Sequence, residues 1–304
     1  MAGCARTGSL ATDLRARLDL LYDGFNHAQA VADPIELVRR YADPADREIV
    51  GFCAAALAFG RVASVLDAVE RLLAIIGPSP AAFVRRLQPS AAPAFATLGH
   101  RWTRGIDHLA LLWILRHMLA EAGSIEAFFL RGHDPAADDL APSIESFATR
   151  ASEIDLEPIY GSHSTARGAR YFFPRPSAGS ACKRLNLFLR WMIRRDAVDL
   201  GVWDSVAPAQ LVVPLDTHVI RVGQCLRLTR YRTPGWRMAA EITAALREID
   251  PADPVRYDFA LCHLGMMNAC GFMRPQADAQ CPLRGACRPR GRRPRASGAP
   301  SARR

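Results

Sequence analysis

The sequence predicts an all-α fold, and two observations carry that prediction. Apolar residues recur at helical spacing in segments that begin and end with helix start and stop signals. No alternating strand pattern runs beyond a few residues, and the best candidate, Leu211–Val213, is short. The 304 residues are 50% hydrophobic and rich in alanine, with 8% aromatics, a composition that supplies a core and favours helix.

Four helices are predicted in the first half of the chain. The earliest opens with Asp46, where an acidic side chain complements the helix dipole, and ends at Gly60. The second ends before the breaker Gly77-Pro78. A turn-rich acidic segment, 132–142, closes the group. The predicted ranges are Asp46–Gly60, Arg61–Ile76, Ile106–Ala122 and Ser124–Leu130.

The second half predicts four more helices, three of which have a start signal. Asp216 precedes one of them as an N-cap, Thr233-Pro234-Gly235 precedes the next, and Asp253-Pro254 precedes the last. The predicted ranges are Leu185–Ile193, Thr217–Leu226, Trp236–Ile249 and Pro254–Met267.

Positive charge is concentrated at the C-terminus. Residues 288–304 hold seven arginines and no acidic residue, and removing these seven from the formal net charge of +9 leaves +2. A segment of this composition is expected to be disordered. The composition is compatible with two roles. The segment could contact phosphate backbones non-specifically, or it could simply increase solubility.

Absent features narrow the function classes. No apolar run approaches the roughly 18 residues that span a bilayer, and the N-terminus lacks the apolar block of a secretory signal. We therefore expect a cytoplasmic protein without a membrane partner, whose eight cysteines are thiols or metal ligands rather than disulfides. The sequence has no GxxxxGK[ST], GxGxxG, HExxH or GxSxG motif, so no nucleotide cofactor is expected.

Lys183 is the only lysine among the 39 lysine and arginine residues. Lysine can lose its proton and act as an amine nucleophile, which arginine cannot. We therefore interpret Lys183 as a candidate catalytic residue. The alternative interpretation is that a lysine occurs at this position by chance.

The segment that begins at Lys183 predicts a cationic stripe. On a helical wheel, Arg190 and Arg194 fall within about 20° of Lys183 and opposite the apolar face, with Arg184 to one side. No acidic residue lies four positions away to balance them. We expect the stripe to face solvent, where it is either simply hydrated or binds an anion such as a phosphate backbone.

Asp216 is the second candidate catalytic residue. Pro214 imposes an extended entry, and Asp216 then stands at the start of the following helix. A capping carboxylate needs no further function. It is also held in a fixed position and orientation, which suits chemistry.

Four stretches of the sequence resemble one family. The segment PLDTHVIRV is similar to the catalytic aspartate segment of the helix-hairpin-helix DNA glycosylases, the endonuclease III superfamily, and the wider pattern resembles the bacterial DUF2400 branch. The resemblance spans most of residues 20–287. The stretches are DREIVGF at 46–52, GSACKRLNLFLRWM at 179–192, PLDTHV at 214–219 and DPVRYDFALCHLG at 253–265.

This resemblance implies a two-lobed helical fold of the DNA-glycosylase type and three regions of the chain. We expect an N-terminal segment over 1–18 and a helical domain over 19–287 that includes a cysteine loop at 262–287. A disordered basic tail over 288–304 completes the chain.

The resemblance also implies cleavage of the bond between a damaged base and its sugar. Lys183 would attack the sugar and form a Schiff base, and Asp216 would stabilise the developing positive charge. The partner would be damaged duplex DNA, and the chemistry requires no cofactor. The residues expected to contact DNA are Arg184, Arg190, Arg194, His218, Arg221 and Gly179. Gly179 is included because it matches one glycine of the family's phosphate-binding hairpin.

The C-terminal cysteines resemble part of a cluster site. Many members of the superfamily bind a [4Fe–4S] cluster through four cysteines. Cys270, Cys281 and Cys287 match three of those positions, and the cysteine expected near residues 277–278 is absent. Three outcomes stay open, namely a cluster completed by Cys262 or His263, a zinc site, or a loop that holds no metal.

Two other functions compete with the glycosylase interpretation. A non-catalytic nucleic-acid-binding protein would use the cationic stripe and the tail, with Lys183 as one more phosphate contact. A Schiff-base enzyme acting on a small carbonyl compound is ranked last, because no barrel-type strand pattern is present.

Overall fold

Helices account for nearly all regular structure in the computed structural model, which describes residues 5–27, 33–161, 167–267 and 281–287. The prediction of an all-α fold is confirmed, while the two-lobed arrangement stays a prediction. No helix within the described ranges combines the length and apolar character that crossing a bilayer requires. In chain order the helices are α1 (Ala5–Phe25), α2 (Ile35–Arg39), α3 (Pro44–Ala56), α4 (Val62–Ile76), α5 (Pro80–Arg86), α6 (Ala92–Phe95), α7 (Gly105–Ala122), α8 (Ile125–Leu130), α9 (Ala141–Glu153), α10 (Glu157–Tyr160), α11 (Arg167–Arg170), α12 (Lys183–Ile193), α13 (Thr217–Cys225), α14 (Trp236–Arg247) and α15 (Asp258–Met266).

Each of the eight predicted helices is present, and the differences lie at the ends. Helix α3 begins before Asp46 because Asp43 caps it, accepting a hydrogen bond from the amide of Ala45 at 2.9 Å. Helix α15 begins at Asp258 rather than Pro254, because residues 254–257 form a turn. The predicted N-cap at Asp216 is confirmed at the start of α13.

The extended segments differ from the sequence prediction. Leu211–Val213 is not a strand but buried coil, and the amide of Val213 donates instead to the hydroxyl of Thr243 at 3.1 Å. A short antiparallel hairpin lies elsewhere, between β1 (Gly99–His100) and β2 (Thr103–Arg104). Two-residue strands are too short to produce an alternating pattern, so they could not be predicted from the sequence.

Helix α1 crosses the expected boundary after residue 18, while the division of the chain into three regions stays a prediction. Leu18 and Leu21 are buried in the main core, which makes the second half of the helix part of the helical domain. Arg17 donates to the carbonyl of Arg284 at 2.8 Å and so joins α1 to the segment 281–287. The expected basic tail, 288–304, lies outside the described residues.

Two helix pairs position the candidate site. Helix α12 packs on α3, and the ring of Phe188 meets that of Phe52 at 5.0 Å between centroids. Helix α13 packs on α15. The backbones approach closely at Gly265, where an added Cβ would lie 2.7 Å from the Cβ of His218. The first turns of α12 and α13 therefore have fixed positions relative to each other and to α15.

Candidate active site

A pocket of about 450 Å³ lies between the first turns of α12 and α13 and the face of α15. Lys183 and Asp216 both line it, and both are partly exposed. The structure thus brings together the two candidate residues, which are 33 positions apart in the chain. They do not form an ion pair within the described part of the molecule.

Lys183 is the first residue of α12. It follows Cys182, which has a left-handed backbone (φ 48°). Its Nζ donates to the carbonyl oxygen of Ala58 at 3.3 Å. Among the described residues this neutral carbonyl is its one hydrogen-bond partner, which leaves the amine available to a ligand in the pocket.

Asp216 is held through both of its carboxylate oxygens. Oδ1 accepts from the amides of His218 (2.8 Å) and Val219 (2.7 Å), which is the geometry of an N-cap. Oδ2 lies 2.9 Å from the Sγ of Cys262 on α15, which donates to it. Burial, together with the adjacent Asp216 charge, raises the pKa of Cys262 well above its ordinary value. The thiol is therefore protonated at neutral pH and acts as a donor.

The part of the site that α15 supplies was not predicted from the sequence. Asp258 and Cys262 are four residues apart on one helix face, and both line the pocket. Two polar side chains four residues apart, on a helix that is apolar apart from these two and His263, were the sequence signal that could have indicated this part of the site.

Asp258 forms a buried ion pair with Arg190 at 2.6 Å. Burial raises the pKa of Asp258 to about 7, Arg190 opposes that shift and Asp216 adds to it. The Oδ1 of Asp258, the Nη2 of Arg190 and the Nδ1 of His218 are buried without a hydrogen-bond partner among the described residues. All three residues line the pocket, so its wall contains polar atoms that are unpaired although they are themselves buried.

The expectation of a solvent-facing arginine stripe is wrong. Arg190 and Arg194 are 2% and 3% exposed. Arg190 pairs with Asp199 and Asp258, and the partners of Arg194 are Asp196, Asp199 and Asp253. The helical wheel considered only acids on the same helix, whereas these acids arrive from the chain after α12 and from the region of α15. Buried guanidiniums with carboxylate partners are not surface contacts for DNA.

Arg184 is also buried, and it too departs from its expected role as a DNA contact. Its guanidinium donates to the carbonyls of Ala56 and Tyr171 and lies 3.9 Å from the centre of the Tyr171 ring. Burial lowers the pKa of Arg184 to about 10. Its charge is balanced by carbonyl dipoles and aromatic faces, with no carboxylate in ion-pairing distance in the described part of the chain.

The other expected DNA contacts are placed as follows. His218 lines the pocket, and Arg221 is exposed on α13. Gly179 is exposed and left-handed (φ 77°), but its amide already donates to the carbonyl of Pro176 at 2.9 Å. That amide already has a partner in the turn, and the expected contact of Gly179 with DNA stays a prediction. The roles of His218 and Arg221 stay predictions.

The described residues hold only part of the cysteine loop. Cys281 is buried and Cys287 is half-buried, while Cys270 lies outside the described residues. No group of three metal-ligating side chains occurs within those ranges. Cys262 is engaged with Asp216, and the Nδ1 of His263 contacts the carbonyl of Phe259 at 2.8 Å. The cluster, the zinc site and the loop without metal all stay predictions.

Fold and pocket together define an all-helical protein with a lysine and a capped aspartate in one open cleft. The chain belongs to the DUF2400 family, because the model of that family, described as "Protein of unknown function (DUF2400)", matches residues 33–267. The matched range includes every residue that lines the pocket, from Asp33 to Met266. No curated protein and no solved structure was found to match the chain.

Proposed function

We propose that this protein is a DNA glycosylase with an associated lyase step, which acts on a damaged base through Lys183 and Asp216. One observation carries the proposal, namely that the only lysine of the chain and a rigidly held carboxylate line the same open pocket. The volume of about 450 Å³ falls in the range of small-ligand pockets. A base turned out of the duplex is a ligand of that class.

The reaction needs an amine and an anion on the same side of the sugar. The neutral amine of Lys183 forms a bond to the anomeric carbon, and the bond between that carbon and the base nitrogen breaks. The base leaves with the bonding electron pair and takes a proton, while the amine gives up a proton. The nitrogen lone pair then forms the C=N bond as the bond from the anomeric carbon to the ring oxygen breaks, and the ring oxygen takes up a proton, which yields a protonated Schiff base. Loss of a proton from C2′ and departure of the 3′ phosphate with its bonding electron pair cleave the strand.

Asp216 has the electrostatic role in this scheme. Positive charge develops on the sugar as the base departs, and again at the anomeric carbon when the protonated Schiff base forms, which also happens at an abasic site. A fixed carboxylate stabilises both charges without reorganisation. The three hydrogen bonds that hold Asp216 maintain that orientation before the substrate arrives.

Borohydride trapping on DNA that contains an abasic site tests the proposal without knowledge of the lesion. We expect a covalent adduct with the wild-type protein, none with Lys183→Arg, and at least a tenfold slower reaction with Asp216→Asn. A matched control carries Lys183→Arg together with Arg86→Lys, which places one lysine on the exposed face of α5. This control should form no adduct, because a solvated lysine far from the carboxylate lacks the site.

Two outcomes contradict the proposal. An adduct of equal yield with the control variant would show trapping by any lysine. Salt-sensitive DNA binding without adduct, unchanged by Lys183→Arg, would instead identify a non-catalytic nucleic-acid-binding protein. Circular dichroism of each variant verifies that the fold is retained.

A further inference from the structure

An exposed aromatic cluster lies beside the Lys183 pocket and has no part in the chemistry above. It consists of Phe59, Trp102 and Tyr171. The ring of Trp102 stacks on Phe59 (4.5 Å, 20°) and meets Tyr171 edge-on (5.1 Å, 89°). Trp102 is 56% exposed and Tyr171 40% exposed, so a large part of the cluster faces solvent.

The β1–β2 hairpin presents Trp102 in a fixed position. Arg101 and Trp102 form its tip, where Arg101 adopts φ 58°. The hairpin contacts the segment before Arg61 in two places. His100 Nε2 lies 2.9 Å from the carbonyl oxygen of Phe59. The guanidinium of Arg101 covers Gly60, where an added Cβ would lie 2.9 Å from its Nε. The exposed indole is thus part of a braced surface rather than a loose loop.

Positive charge surrounds the aromatic cluster. Arg61, Arg101 and Arg170 are exposed around it, and none of them has a carboxylate within ion-pairing distance in the described ranges. The buried guanidinium of Arg184 lies beneath Tyr171. A second pocket of about 440 Å³ is lined by Phe59 and Tyr171 and shares Ala58 and Lys183 with the first. Lys183 therefore stands on the boundary between the two pockets.

An unpaired nucleotide is bound by two components, aromatic faces and neighbouring cations, and both are present here. Bases of any sequence stack on aromatic side chains, and arginines neutralise the adjoining phosphates. A protein partner of acidic character would satisfy the arginines but has no need of open aromatic faces. A neutral apolar partner would leave the three exposed guanidiniums of Arg61, Arg101 and Arg170 without an anionic partner.

We propose that the cluster of Phe59, Trp102 and Tyr171 is a stacking surface for an unpaired base of the DNA whose backbone passes Lys183. The proposal rests on the proposed function for the identity of the ligand as DNA. It adds a binding site outside the reactive pocket, one that holds a base next to the damaged position or opposite it. Its contribution is to binding and not to bond cleavage.

Fluorescence anisotropy with two labelled duplexes tests the stacking surface, one fully paired and one with a single unpaired adenine. We expect the wild-type protein to bind the second duplex about tenfold more tightly, in line with the stacking of one base. Trp102→Ala should remove that preference and leave binding to the paired duplex unchanged. Trp102→Phe should keep most of it, because the ring is retained.

A matched control is Leu20→Ala, which removes another exposed large apolar side chain (74% exposed), located on α1. It should keep the full preference. The inference is overturned if Trp102→Ala retains the preference, if it weakens binding to both duplexes equally, or if no duplex binds.

The adduct assay separates this inference from the proposed function. Loss of the preference in Trp102→Ala, with no adduct from the wild type, supports the stacking surface and contradicts the glycosylase. Adduct formation by the wild type, together with a preference that Trp102→Ala retains, supports the glycosylase and contradicts the stacking surface.

Discussion

The carboxylate of Asp216 accepts from two backbone amides and one thiol, and only the thiol can be removed by substitution. Cys262 contributes the hydrogen bond to Oδ2 at 2.9 Å. Hydrogen bonds to a charged group are worth about 1.5–3 kcal/mol. Without this one, Oδ2 can rotate toward other partners while Oδ1 remains on the helix start.

Cys262→Ala is therefore expected to slow adduct formation about tenfold, the rate effect of roughly 1.4 kcal/mol. Cys262→Ser keeps a donor and should recover most of the rate. Single-turnover borohydride trapping measures both. The matched control is Cys53→Ala, a fully buried thiol on α3 that does not line the pocket. Equal rates for Cys262→Ala and the wild type would show that the thiol has no positioning role.

At the scale of elements, the site depends on how closely α13 approaches α15. The two helices meet where Gly265 of α15 faces His218 of α13, and Gly265 has no side chain that would hold the helices apart. The contact matters for function because α13 carries Asp216 and α15 carries Cys262 and Asp258.

Gly265→Ala should destabilise the protein by about 1–3 kcal/mol, because the new methyl group would lie 2.7 Å from the Cβ of His218 and the helices must separate. Urea unfolding measures the change. Gly24→Ala on α1 is the control, since nothing lies within 4 Å of its added Cβ. There, the alanine should stabilise the protein by about 0.5–1 kcal/mol through helix propensity. Equal effects at the two positions would contradict close packing at Gly265.

Local signals predicted the helices but not how their faces meet. Asp216 marked the start of α13 because capping is a short-range effect, and Lys183 was noticed because no other lysine exists. The prediction for α12 was wrong at Arg190 and Arg194 because their acidic partners lie outside the helix, in the chain just after it and around α15. Cys262 was considered only as a possible metal ligand for a similar reason, since its partner Asp216 belongs to another helix start.

At the scale of the whole molecule, buried charge joins α12 to the chain after it and to α15. Arg190 and Arg194 share four carboxylates, those of Asp196, Asp199, Asp253 and Asp258. Acids therefore outnumber cations in this network. Burial raises the pKa of Asp199 and of Asp253 as well as that of Asp258. The pKa of Asp196 is lowered instead. Burial alone would raise it, but the charge of Arg194 and hydrogen bonds from the amides of Asp199 and Val198 outweigh that effect. Burial thus brings the pKa of Asp258, at about 7, close to neutral pH.

Asp258 should make the protein less stable as the pH rises. Its pKa is 3.8 in the unfolded chain and about 7 in the folded one. The folded state therefore binds the proton more tightly, and the stabilisation is lost as the pH climbs through 7. The free energy of unfolding of the wild type, relative to that of Asp258→Asn, should fall by about 2–3 kcal/mol between pH 5 and pH 8. Urea unfolding at the two pH values measures it, and pH-independent costs of the substitution cancel in the comparison. Asp204→Asn, at an 86% exposed side chain paired with Arg195, should show no such change. A difference that stays constant with pH would mean that Arg190 keeps Asp258 ionised throughout and would contradict the raised pKa.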